Sequence, residues 1–132
     1  MAKKIIFISF DYDNDAAYKN LLLAWDKNKE FDFELYNGSL KEAINSTNAP
    51  YIKSKIKPLI LKASHLLCIV GKQSASSAWI NWEIQTAVEA KKKLIGVKIE
   101  KAHLSPSPLI SNGATWALSF NFDAIKKAVE SS

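Results

Sequence analysis

The sequence predicts an α/β fold, a flavodoxin-like, doubly wound parallel sheet of five strands in the order 2-1-3-4-5 with helices on both faces. Three observations predict it. Short apolar runs alternate with amphipathic segments along the whole chain. Two of those runs, Lys4–Phe10 and Leu66–Val70, are nearly continuous in apolar residues, as strands covered on both faces are. No internal repeat and no Gly- or Pro-rich linker divides the 132 residues, so residues 1–132 are expected to form one domain.

The elements follow in order. "KIIFISF" (4–10) is the first strand, expected at the centre of the sheet. Tyr18, Leu21, Leu22 and Trp25 recur at helical spacing after Asp11, Asp13 and Asp15, residues that suit a helix start. "FDFELY" (31–36) alternates apolar and acidic residues, the pattern of a half-exposed edge strand. Asn37-Gly38 marks a turn, and Ser39 with Glu42 three residues on forms a capping-box pattern for a short helix. Pro50 suits the first turn of another helix, which sets Ile52, Ile56, Leu59, Ile60 and Ala63 on one face. Pro58 lies inside that pattern and is expected to kink or split it.

"LLCIV" (66–70), closed by Gly71, is the third strand. "SAWINWEIQTAV" (77–88) is an amphipathic helix, with Lys91, Lys92 and Lys93 complementing the dipole at its end. Leu94–Ile99 is the fourth strand, and Glu100–Ala114, with Pro106 and Pro108, is expected to be a loop. "TWALSF" (115–120) is the last strand and Phe122–Glu130 a terminal helix.

Composition removes several function classes. Hydrophobic residues make up 48% of the chain and charged residues 23%, which fits a packed core and not a disordered segment. No apolar run approaches a membrane span, and the N-terminus lacks the shape of a signal peptide, so a cytoplasmic protein without membrane contact is expected. Cys68 falls within an apolar strand, and His65 and His103 lack ligand-spaced partners; no metal site is expected. The net charge is +5, yet all eighteen basic residues are lysine. Without arginine, the planar fork that reads guanine edges and grips phosphates is missing, and no specific nucleic-acid partner is expected.

In a sheet of this order, ligands bind outside the carboxyl ends of the first and third strands, where the winding reverses. Ser9–Asp13 and Gly71–Ser77 would line that crevice. The loop "SFDYDND" has no glycine, which excludes a phosphate-cradling loop, and its three aspartates would repel a phosphate. A receiver domain needs a phosphoacceptor aspartate that "LLCIVGK" does not offer, and no nucleophile elbow is present. What remains is Glu83. On a helical wheel Ile80, Ile84, Ala87 and Val88 form the buried stripe, with Glu83 and Trp79 at its border. The residues themselves leave two readings open. Glu83 either complements the positive end of its helix or turns into the crevice, and Trp79 is either packing or a ligand wall.

"KKIIFISFDYDND" (3–15) resembles the first box of TIR domains. "SSAWINWEIQTAV" (76–88) resembles the helix of catalytic TIR domains in which a tryptophan precedes the essential glutamate by four residues, as Trp79 precedes Glu83. "NGSLKEAINSTNAPYIKSKIKPLILKASHLLCIVG" (37–71) is similar to the TIR succession of loop, helix and third strand. More narrowly, the chain resembles the TIR-like ThsB family of bacterial Thoeris anti-phage systems over residues 3–100. Its acidic loop after the first strand departs from the basic loop of many TIR domains.

The resemblance implies cleavage of NAD⁺ at the nicotinamide–ribose bond, with NAD⁺ as substrate and no separate cofactor. It implies Glu83 as the catalytic residue. Ser9, Phe10 and Asp11 would line the nicotinamide end, Gly38 and Ser39 would belong to a loop closing over the ligand, and Trp79 would shape the wall. Phe10 and Trp79 are equally readable as core. The product is either a cyclic ADP-ribose-type signal that activates a separate effector protein or linear ADP-ribose, and self-association is expected to be needed for activity. The alternative is a non-catalytic TIR module working through protein contacts, in which Glu83 is an ordinary helix residue.

Overall fold

The structure, a computed structural model, describes residues 5–27, 34–36 and 49–132. Five parallel strands, β1 (Ile5–Ser9), β2 (Glu34–Tyr36), β3 (His65–Val70), β4 (Lys93–Lys98) and β5 (Thr115–Ala117), lie in the order β2-β1-β3-β4-β5. The helices are α1 (Tyr12–Lys27), α2 (Ala49–Lys62), α3 (Ala78–Glu89), α4 (Ser107–Ser111) and α5 (Phe122–Ser131), with a 3₁₀ turn at Ser74–Ser76 before α3. The predicted α/β class, with a parallel sheet and helices, is what forms.

Strand alternation sorts the apolar residues into two cores. Ile6, Ile8, Leu67, Ile69, Ile95 and Val97 face Leu22 of α1 and Ile125, Ala128 and Val129 of α5. Phe7, Leu66, Cys68, Val70 and Leu94 face Ile56 and Ile60 of α2 and Ile80, Ile84 and Ala87 of α3. Every residue of β3 is buried, which is why it reads as an unbroken apolar run. Each fully buried Ile, Leu or Phe contributes about 1.5–3 kcal/mol against exposure, so β1 and β3 anchor the molecule at its centre.

Four expectations are corrected. Helix α2 is not split at Pro58; the proline lies on the exposed face, away from the sheet, where a missing N–H costs least. The 100–114 segment is not all loop: α4 forms there with Pro106 capping it and Pro108 in its first turn, positions where proline's fixed φ favours a helix. Strand β5 stops at Ala117, and Phe120 leaves the sheet to pack on Tyr18 and Trp25 of α1, with ring centroids 4.9 and 6.1 Å away. Helix α1 begins at Tyr12, so Asp15 lies inside it rather than ahead of it. Gly38, Ser39, Glu42 and residues 31–33 lie outside the described residues.

Helix α3 ends in a tight cap. Lys92 N–H donates to the Ala87 carbonyl at 2.9 Å and Lys91 N–H to the Val88 carbonyl at 3.0 Å. This paired closure requires a left-handed residue, and Lys91 supplies it at φ 60°. A lysine pays for that conformation where glycine would not. Lys91→Gly should therefore raise unfolding stability by about 0.5–1 kcal/mol, read as a higher denaturant midpoint. A lower midpoint would contradict this account of the cap.

Candidate active site

The site is built from the ends of two adjacent strands and the helix that follows one of them. Ser9 is the last residue of β1 and pairs with Cys68 of β3. Alternation turns it to the same sheet face as Phe7, the face that α3 covers. The chain then leaves β3 at Gly71, and Ser74 fixes the turn: its hydroxyl accepts from Gly71 N–H at 2.8 Å and donates to the Ile69 carbonyl at 3.1 Å. Ser77 caps α3, its hydroxyl accepting from Ile80 N–H at 3.2 Å. The Asn81 amide ties the first turn back to the carbonyls of Ala75 and Ser77, at 3.1 and 2.8 Å. These contacts fix the start of α3 and with it the direction of Glu83, two turns of chain into the helix.

Glu83 points inward. It is 3% exposed, and the Ser9 hydroxyl donates to its Oε1 at 2.8 Å. The reading of Glu83 as a solvated helix residue is excluded by this burial. The helix presents Ile80, Glu83, Ile84, Thr86 and Ala87 inward, so Glu83 lies within the buried stripe, not at its border. A carboxyl withdrawn from water resists ionisation, and burial pushes Glu83 up to about 8, with the Ser9 hydrogen bond pulling the other way. The Cys68 thiol shares this environment. Burial raises it first, and the negative charges of Glu83 and Asp15 raise it further, which makes it an inert thiol.

The other predicted site residues separate. Phe10 is buried on the opposite sheet face with Ile6, Ile8 and Leu22, and Lys19 lies over its ring at 5.6 Å. Asp11 is half-buried just before α1, its carbonyl accepting the Asp15 N–H at 2.8 Å. Trp79 is half-buried against the α2–α3 core, edge-on to Trp82 at 5.9 Å, with Lys53 Nζ 5.7 Å from its ring. The structure thus joins Ser9 to Glu83 and sets Trp79 against Trp82 and Lys53. Gly38 and Ser39 lie outside the described residues. Among the described residues no group of three or more His, Cys, Asp or Glu side chains could hold a metal ion, and no helix is long and apolar enough to cross a membrane.

A model of the family described as "Thoeris protein ThsB, TIR-like domain" matches residues 7–103, which include Ser9 and Glu83. The chain belongs to the ThsB TIR-like family. Its fold is similar to that of a 2-desoxiribosyltransferase from Leishmania mexicana, with TM-score 0.56 and 20% identity over 88% of this chain and 77% of that one. No curated protein matches the chain.

The ThsB-family chain carries a second buried acid, Asp15, one of the three aspartates after the first strand. Asp15 is 4% exposed. Its carboxyl is raised to about 6, first by burial and then by Asp11, with His103 and Lys72 opposing. It lies against the backbone of Gly71, where an added Cβ would displace its carboxylate. The acid could be found in the sequence only as one of three aspartates after the first strand; nothing in that run separates it from Asp11 or Asp13.

Proposed function

We propose that this protein is a TIR-type enzyme that cleaves NAD⁺ at the nicotinamide–ribose bond, with Glu83 as the catalytic carboxyl. The observation that carries this reading is the buried Ser9–Glu83 pair at the carboxyl ends of β1 and β3. That end of a flavodoxin-like sheet, where the order β2-β1-β3 reverses the winding, is where such folds take ligands. A buried glutamate with no cationic partner among the described residues is costly to a fold, and a site that uses it accounts for its placement here.

The chemistry suits a single acid. The bond between nicotinamide N1 and ribose C1′ breaks, and its electron pair returns to the ring nitrogen. Nicotinamide therefore leaves neutral and needs no proton. C1′ is left as an oxocarbenium-like centre, as in glycoside cleavage. Burial favours the protonated form of Glu83 in the free protein at neutral pH; the positive pyridinium of NAD⁺ placed beside it favours the ionised form. The carboxylate then stabilises the developing cation in a site of low dielectric. A nucleophile closes the reaction: an atom of the same nucleotide gives a cyclic ADP-ribose-type molecule, and water gives ADP-ribose.

With ThsB-family membership, the cyclic product acting as a signal to a separate effector in anti-phage defence is the function proposed. The setting is the cytoplasm, and self-association completes the active species. The test is incubation of the purified full chain with NAD⁺, with and without phage-infected lysate. Nicotinamide is followed by chromatography and the nucleotide product by mass. Release of nicotinamide with a product lighter than ADP-ribose by one water supports the signalling enzyme; linear ADP-ribose supports a hydrolase. No release under either condition, in both monomeric and associated fractions, rejects the activity.

A further inference from the structure

The face of the sheet opposite Glu83 carries a cleft of about 300 Å³ at the same, carboxyl end of the strands. It is lined by Asp15, Tyr18, Lys72, Ile99, Glu100 and His103. Two polar atoms in it, Asp15 Oδ2 and His103 Nδ1, are buried and have no hydrogen-bond partner among the described residues. Buried polar atoms left unsatisfied are costly and rare, and two lining one cleft call for an explanation.

Their chemistry can be read from their neighbours. His103 Nε2 lies 3.3 Å from Glu100 Oε2, which places the ring proton on Nε2 in the neutral tautomer. Nδ1 then presents a lone pair. Asp15, as a carboxylate, presents only acceptors. The cleft therefore holds two acceptors without partners among the described residues, with the Tyr18 ring and Ile99 as an apolar wall and Lys72 and Glu100 as the further charged groups of its lining. A cation would satisfy the acceptors but would be opposed by Lys72. A neutral group with two adjacent donors suits both acceptors; an anion attached to it is drawn by Lys72 and opposed by Asp15 and Glu100, so the diol and not the phosphate carries the match. Adjacent hydroxyls on a ribose are such donors, and a carboxylate is the usual acceptor for them in nucleotide-binding α/β folds.

We propose that this cleft binds the ribose diol of a nucleoside monophosphate unit, with Asp15 and His103 accepting from the two hydroxyls and Lys72 meeting the phosphate. This rests on the reading of Glu83 only for what the unit belongs to. If NAD⁺ is the substrate, the adenosine half occupies the Asp15 cleft while the nicotinamide half reaches Glu83 across the tips of β1 and β3.

The experiment measures binding, not turnover. Full-length protein is titrated with AMP and, separately, with 2′,3′-dideoxy-AMP, following backbone amide shifts. AMP should shift the amides around Asp15, Lys72 and His103, and the dideoxy compound should bind at least tenfold more weakly. Asp15→Asn should weaken AMP about tenfold, and Glu83→Gln should leave it unchanged. Equal affinity for the two compounds, shifts confined to other regions, or no AMP binding would each overturn the proposal. The comparison of the two compounds on the wild type stands even if Asp15→Asn does not fold. Diol-dependent binding in a protein that releases no nicotinamide would uphold this site while rejecting the activity assigned to Glu83.

Discussion

From about pH 6 to about pH 8, kcat/KM for NAD⁺ cleavage should rise close to tenfold per pH unit and then level off. The reacting form of Glu83 is the carboxylate, and burial holds the free enzyme's carboxyl up to about 8, so each unit below that leaves a tenth as much of the active form. The profile is measured from initial rates of nicotinamide release at low substrate. Ser9→Ala should move its midpoint further alkaline, by roughly one to two units, because the Ser9 hydroxyl donates to the ionised form and pulls the carboxyl down. A rate independent of pH across this range would show that Glu83 does not titrate as the buried acid described.

The second large effect is on folding. In the folded chain Glu83 and Asp15 ionise at about 8 and about 6, above the values of about 4 that both have when unfolded. The folded state therefore holds protons that the unfolded state has released. This contribution is complete below about pH 4 and is lost from there as pH rises, Asp15 losing its part by about pH 6 and Glu83 continuing to about pH 8. Between about pH 6 and 8, with Glu83 alone differing, stability should fall by about 1.4 kcal/mol per pH unit, a large share of the 5–15 kcal/mol typical of a domain. Glu83→Gln keeps an amide oxygen to accept from Ser9 and carries no charge, so its stability should be flatter over this range and higher than wild type at about pH 8. Denaturant unfolding at several pH values measures both; parallel curves for the two proteins would contradict the buried-acid account.

Much of this fold was legible because its signals are local. A strand covered on both faces must be apolar throughout, and "LLCIV" is. A helix of apolar residues at 3.6-residue spacing shows in "SAWINWEIQTAV", and α3 forms over Ala78–Glu89. The wheel fails on Glu83 because it weighs hydrophobicity alone. Packing against the sheet buries Thr86 as well, its hydroxyl satisfied by the Trp82 carbonyl at 2.8 Å, and Val88 is only half-buried. The feature that makes Glu83 a site, the Ser9 hydroxyl on its carboxyl, spans 74 positions and has no local trace. Trp79 shows the reverse. Its spacing from Glu83 carries the family resemblance, while its ring is spent on Trp82 and Lys53. Asp15 was hidden for a third reason: it packs from α1 against Gly71 just past β3, a contact between distant segments that no local pattern shows.

The measurement that bears most directly on the central claim is nicotinamide release from NAD⁺ by wild type and Glu83→Gln, side by side at about pH 8, with circular dichroism confirming that both are folded. Losing a preorganised charge at the reacting centre should lower the rate at least about 100-fold while the variant stays folded. A folded Glu83→Gln protein that releases nicotinamide at the wild-type rate would contradict the assignment.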